Sequence, residues 1–174
     1  PDPGSRPLID VHAHYGPWVS LPNPYTSAAD LLDTCRRFGI EHCCLSSTLA
    51  IGHDLAEGNE RVRAVIEGHP GLHGYAVIHP GYPEQSLAQL RELLALPSFV
   101  GAKLHPKHCG YQADAPEARP LLEYLVELGK PLLVHTWFDE MCLAMGQAAD
   151  LFPDLTLIMG HMGGDTWETA LTVA

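Results

Sequence analysis

Leu8-Ile9-Asp10-Val11-His12-Ala13-His14 is the stretch on which the reading of this chain turns. Four apolar residues (Leu8, Ile9, Val11 and Ala13) among polar ones at this length predict a strand. Residues i and i+2 of a strand point to one face about 7 Å apart along the chain, so His12 and His14 converge on the same side. Two imidazoles so placed can share a metal ion, and imidazole suits zinc, manganese and iron alike. The same pair also fits a wet strand face that binds nothing. What tips the balance lies downstream: five of the six predicted strands carry a histidine at or near the carboxyl end, at His14, His79, His105, His135 and His161.

Short apolar runs alternate with amphipathic stretches along the whole chain. Strands are predicted over Leu8–His14, Glu41–Thr48, Leu72–His79, Phe99–His105, Pro131–Thr136 and Leu155–His161. Helices are predicted between and after them, over Ser27–Phe38, Gly58–Gly68, Ser86–Leu96, Glu117–Leu128, Met141–Phe152 and Thr166–Ala174. The helical assignments rest on apolar residues at helical spacing, such as Leu87, Leu90, Leu93 and Leu94, or Leu121, Leu122, Leu125 and Leu128. Gly39 and Gly129 sit where a glycine closes a helix, and Pro80 and Pro106 stop strands. The strands are nearly continuous apolar runs, as expected for a parallel sheet covered on both faces. Six β-then-α units in succession argue α/β architecture.

Composition bounds the function. The chain has 174 residues, 46% of them hydrophobic, and a formal net charge of −11. One domain with a substantial core is expected over residues 8–174, after a loose lead-in over residues 1–7. The acidic balance disfavours nucleic acid and anionic membrane surfaces as partners and leaves a small-molecule substrate. Five cysteines with no Cys-x-x-Cys pair suit a reducing compartment. No apolar run approaches membrane-spanning length, so a cytoplasmic location is expected.

Two folds fit the repeat, an open doubly wound sheet and a (β/α)8 barrel of the TIM type. A barrel delivers every strand's carboxyl end to one mouth, where a ring of histidines has a purpose. An open sheet spreads those ends along an edge, and no Gly-x-Gly-x-x-Gly turn follows the first strand. The histidines therefore favour the barrel. A barrel needs eight units and at least about 200 residues, so the expectation is that only the first six units are present, in a fragment or a partial chain.

Asp10-x-His12-x-His14, the lone His135 in Pro131-Leu132-Leu133-Val134-His135-Thr136, and Gly160-His161-Met162-Gly163-Gly164 together resemble the amidohydrolase superfamily. The likeness is to its amidohydrolase-related branch, which includes the aminocarboxymuconate-semialdehyde decarboxylase group. It runs from Leu8 onward. The resemblance implies that His12, His14 and His135 are metal ligands and that His161 stands by as general acid/base or as a donor to developing negative charge. The family's fourth ligand is an aspartate after strand eight, beyond residue 174, and Asp165 is no substitute for it. One divalent ion is implied, with zinc first and manganese or iron as alternatives. The implied activity is hydrolysis of a small ester, lactone or amide by a metal-activated water. Non-oxidative decarboxylation of a small unsaturated or aromatic acid is the alternative, and a chain left inactive without the strand-eight aspartate is a third.

Lys103 shares a strand face with His105. Both are candidates for substrate binding, Lys103 as a cation for a substrate carboxylate; carbamylation bridging two metals, or a lysine snorkelling at the rim, are its other readings. His79 and His105 precede prolines, and a structural strand-end role rivals substrate contact. Asp10 either orients an imidazole or bonds locally at the strand end. Trp18, Tyr25, Trp137 and Phe138 follow strands and either wall a pocket or simply pack. His42, His53, His69, His73 and His108 lie off the expected ring, and Cys43 and Cys44 read as core residues.

Overall fold

The computed structural model describes residues 7–18 and 27–174. Most of the expected lead-in and Tyr25 lie outside the described residues. The elements follow in order as β1 (Leu8–Tyr15), α1 (Ala28–Phe38), β2 (Ile40–Ser47), α2 (Thr48–Gly52), α3 (Leu55–Ile66), β3 (Leu72–Val77), α4 (Pro83–Leu93), β4 (Phe99–Leu104), α5 (Pro106–Cys109), α6 (Arg119–Leu128), β5 (Leu132–His135), α7 (Asp139–Leu151), β6 (Leu157–Gly160) and α8 (Trp167–Val173).

All neighbouring strands pair in parallel, and their order in the sheet is their order in the chain, β1 to β6. A doubly wound sheet reverses its strand order at a switch point; this one never does. The architecture is that of the first six units of a (β/α)8 barrel.

Local chemistry sets the boundaries. Ser27 caps α1 by accepting a hydrogen bond from the Asp30 amide, and Asp54 caps α3 through the Glu57 amide. Asp54 starts α3 three residues ahead of the predicted Gly58, and the short α2 was not expected at all. Pro83 opens α4, where its missing N–H costs nothing, three residues ahead of the predicted Ser86. All strands but β1, which runs on to Tyr15, are shorter than predicted at their carboxyl ends. β3 stops at Val77, β4 at Leu104 and β6 at Gly160, so His79, His105 and His161 stand one or two residues beyond their strands.

Two packing layers result. Outward-facing side chains such as Leu45, Ala76, Ala102, Leu104, Leu132 and Val134 meet the helices in one large core. Inside the sheet's curve, Cys44, Tyr75 and Leu133 cluster with Val100 and Ile158. Burial raises the Cys43 and Cys44 thiol pKa values, in keeping with inert core cysteines. One residue pair further along the inner face, that plug gives way to Lys103 and His135. The carboxyl ends of the strands therefore rise from an apolar floor.

Candidate functional site

β1 delivers two imidazoles to the mouth. His12 and His14 rings lie 5.1 Å apart between centroids, as the i, i+2 pattern requires. Their strand neighbour Asp10 accepts a hydrogen bond from the His12 backbone N–H at 3.0 Å, which is strand-end bonding; no Asp10 bond to an imidazole is seen among the described residues. β5 ends on His135, and the turn after β6 brings His161 to 4.6 Å from His12 and 4.8 Å from His135. Residues distant in sequence thus form one group, His12, His14, His135 and His161.

β6 can come this close because of Gly160. A Cβ there would lie 2.8 Å from His12 Cε1 and 2.8 Å from the Val134 carbonyl, so any side chain displaces the ring or the neighbouring strand. The turn that carries His161 is unusual. His161 has φ 62° and Met162 φ 47°, conformations that non-glycine residues rarely adopt, and Gly163 and Gly164 follow at positive φ. Thr136 holds the turn in place. Its buried hydroxyl donates to the Gly160 carbonyl and accepts from the Gly163 amide at 3.1 Å, and its amide also donates to Gly160 O at 3.1 Å. Anchors on both sides of His161 offset the backbone strain between them.

Lys103 is wholly buried at the centre, with Nζ 2.9 Å from His12 Nε2. Burial pushes its pKa down to about 7. His105 stacks on His135, with ring centroids 3.9 Å apart and planes at 14°. Burial, with the neighbouring positive groups in second place, lowers the pKa of His12 to about 2, His14 to about 3, His105 to about 2 and His135 to about 3. His161 is exposed and is lowered as well, by partial desolvation and then by Lys103. At neutral pH these imidazoles are uncharged, which is the form that binds metal.

As they stand, no three His, Cys, Asp or Glu side chains among the described residues gather their donor atoms tightly enough to hold an ion. Their chemistry nevertheless fits one. The rings are neutral and grouped, and the Nδ1 atoms of His135 and His105 are buried without a hydrogen-bond partner, a condition that ordinarily calls for a ligand, ion or water. Holding an ion on His12 Nε2 would require Lys103 to withdraw.

The rest of the mouth is aromatic. Trp137 stacks parallel to His135 at 6.3 Å and meets His161 edge-on at 5.2 Å, seated over Gly164 where a Cβ would lie 2.7 Å from its ring. Trp18 touches His14, His105 and His108. Both indoles line the site. The Lys107 ammonium sits over the Phe138 ring, 6.0 Å from its centroid.

His79 stays out of the group, its Nδ1 accepting from the Gly81 amide and its ring between Tyr82 and Tyr111. His108, set aside on sequence grounds, belongs at the mouth: its ring is 4.6 Å from that of His105, one turn away on α5. The signal for it was His105-Pro106, since a proline at the first helical position predicts the short helix that carries His108 back. His108 also lines a cavity of about 380 Å³ with His53, His79, Tyr82 and Gln85. Among the described residues no helix is long and apolar enough to cross a membrane.

No curated protein matches the chain in sequence. Several solved structures share its fold. A 2,6-dihydroxybenzoate decarboxylase from Rhizobium superposes with a TM-score of 0.71 at 17% identity, over 90% of this chain and 66% of that one. A probable 2-pyrone-4,6-dicarboxylic acid hydrolase from Acinetobacter baumannii, solved with citric acid bound, gives 0.67 at 15% identity, over 97% and 67%. The 5-carboxyvanillate decarboxylase of Novosphingobium aromaticivorans, complexed with manganese and 4-hydroxy-3-methoxy-5-nitrobenzoic acid, gives 0.64 at 20% identity, over 83% and 52%. The chain thus spans half to two thirds of the length of these neighbours. At such identities they bear on the fold alone. Sequence carries the family: the amidohydrolase family model matches residues 9–174, and the chain belongs to that family.

Proposed function

We propose that this chain carries the metal-binding site of a hydrolase acting on a small ester, lactone or amide. One observation carries the reading: imidazoles from β1, β5 and the β6 turn meet at one mouth, with the pKa values of His12, His14 and His135 held far below neutrality by burial. His12, His14 and His135 would hold one divalent ion, zinc first, with manganese next because the 5-carboxyvanillate decarboxylase carries it. When bound, such an ion acidifies a water toward neutral pH and polarises a carbonyl.

The chain's own groups do the rest. His161, exposed beside His12 and His135, takes up a proton from the attacking water and returns it to the leaving oxygen or nitrogen. Lys103, with a pKa near neutrality, offers an ammonium to a substrate carboxylate once it leaves His12. His105 holds the His135 ring by stacking and faces the substrate with its unpartnered Nδ1. Trp18 and Trp137 wall a planar substrate and exclude water.

The pyrone named for one neighbour is a cyclic ester, which supports the lactone choice. Two other neighbours are decarboxylases, and these favour a second reading, decarboxylation of a small aromatic or unsaturated acid in the same mouth. A panel separates the two. Turnover of lactones and aryl esters but not hydroxybenzoates or muconate-type acids supports hydrolysis; release of carbon dioxide from the acids, with the esters untouched, overturns it.

A further inference from the structure

We propose that Ser46 fixes the tautomer and ring orientation of His14, so that Nε2 is the ring's bare nitrogen. The inference concerns the metal centre proposed above, but the tautomer itself does not depend on it. Ser46 is the cross-strand partner of His14 in the parallel β1–β2 pair, and it is completely buried. Its hydroxyl lies 2.9 Å from His14 Nδ1 and 3.4 Å from the Ala13 carbonyl.

A neutral imidazole carries one proton, and that proton decides which nitrogen can bind metal. With it on Nδ1, the Ser46 hydroxyl accepts from Nδ1–H and donates to Ala13 O, and both contacts become hydrogen bonds. With it on Nε2, the single hydroxyl proton must choose between Nδ1 and the carbonyl, and one contact is lost. A second hydroxyl, just past the end of β2 at the start of α2, shows the same habit: Thr48 Oγ1 donates to the Tyr15 carbonyl at 3.1 Å. The hydroxyls of Ser46 and Thr48, two residues apart, therefore run along the β1 carbonyls. Ser46 is also the only inward neighbour through which β2 reaches a ring of the group among the hydrogen bonds of the described residues. Partners of this kind tune metal affinity by about 10–100-fold when they act on a ligand. Ser46 is thus a positioning residue, acting through His14.

Long-range nitrogen–proton correlation spectra of the metal-stripped protein test this directly, with His14 assigned from a His14→Gln variant. The expected result is Nδ1 protonated and Nε2 bare in the unmodified chain, a mixture of tautomers in Ser46→Ala, and recovery of the first pattern in Ser46→Thr. Zinc affinity, measured in parallel, is expected to weaken about 10–100-fold in Ser46→Ala and to return in Ser46→Thr. A proton on Nε2 in the unmodified chain overturns the proposal without need of any variant. So does an unchanged tautomer in Ser46→Ala. If the tautomers behave as expected but the unmodified chain binds no zinc, Ser46 keeps its assignment and the metal reading fails alone.

Discussion

Replacing Lys103 by methionine should stabilise the metal-stripped protein, by an amount that depends on pH in a defined way. Lys103 is fully buried, and its pKa falls from an ordinary 10.5 to about 7. Between those values the unfolded chain binds a proton that the folded chain does not, so the lysine's contribution to stability rises with pH and is least favourable at and below pH 7. At about pH 7 the folded amine is half charged and the unfolded one fully so, a penalty of about 4 kcal/mol; it shrinks to about 2 kcal/mol near pH 9 and about 1 kcal/mol near pH 10. Methionine has similar length and no charge to bury. It loses the 2.9 Å contact with His12 Nε2, but His12 does not titrate in this window, so that loss is constant with pH. Urea unfolding of both proteins from about pH 7 to 10 gives the difference directly, because the buried thiols and Tyr75 are common to both. The stability difference should fall by about 3 kcal/mol between about pH 7 and pH 10, about 1 kcal/mol per pH unit. A difference that stays flat would refute the reasoning, since it would mean that Lys103 is solvated and the barrel centre is wet.

Acid should unfold the protein early. His12, His14, His105 and His135 stay neutral in the fold down to about pH 2 or 3, while in the unfolded chain each takes a proton below its ordinary 6.5. Each removes about 1.4 kcal/mol per pH unit as pH falls below that value, and a urea midpoint constant from pH 7 to about 4 would contradict this. Gly160→Ala should cost about 1–3 kcal/mol through overpacking against His12 and the Val134 carbonyl, read as a lower urea midpoint; an unchanged midpoint would mean that β6 does not press on His12. Thr136→Val should cost about 1–3 kcal/mol and deprotect the Gly163 amide in hydrogen exchange, with Thr136→Ser restoring both. Protection surviving in the valine variant would show that the His161 turn stands without its anchor.

Much of this was legible in the sequence because it rests on periodicity. The strict two-residue spacing of His12 and His14 fixed their common face, and apolar runs punctuated by Gly39, Gly129, Pro80 and Pro106 fixed the order of elements. Boundaries were less legible, since they depend on which side chain captures an orphan amide; Asp54 did so ahead of the helix expected from Gly58. The roles of Ser46 and Thr136 were invisible for a different reason. Each acts on a residue that only strand pairing brings near: Ser46 through the β1–β2 register, Thr136 through the turn after β6. Stacking of His105 on His135 and the contact of Lys103 with His12 likewise belong to the inner face that the assembled strands form. Alternation along a strand announces that a side chain points inward but not what it will meet there.

The central claim is that His12, His14 and His135 hold a divalent ion, and its most direct test is metal stoichiometry. Chelator-stripped protein, titrated separately with zinc and manganese and then analysed by elemental mass spectrometry, should retain about one ion per chain. The His12→Ala/His14→Ala double variant should retain none. An unmodified chain that holds no ion, or a double variant that holds as much as the unmodified chain, would contradict the account.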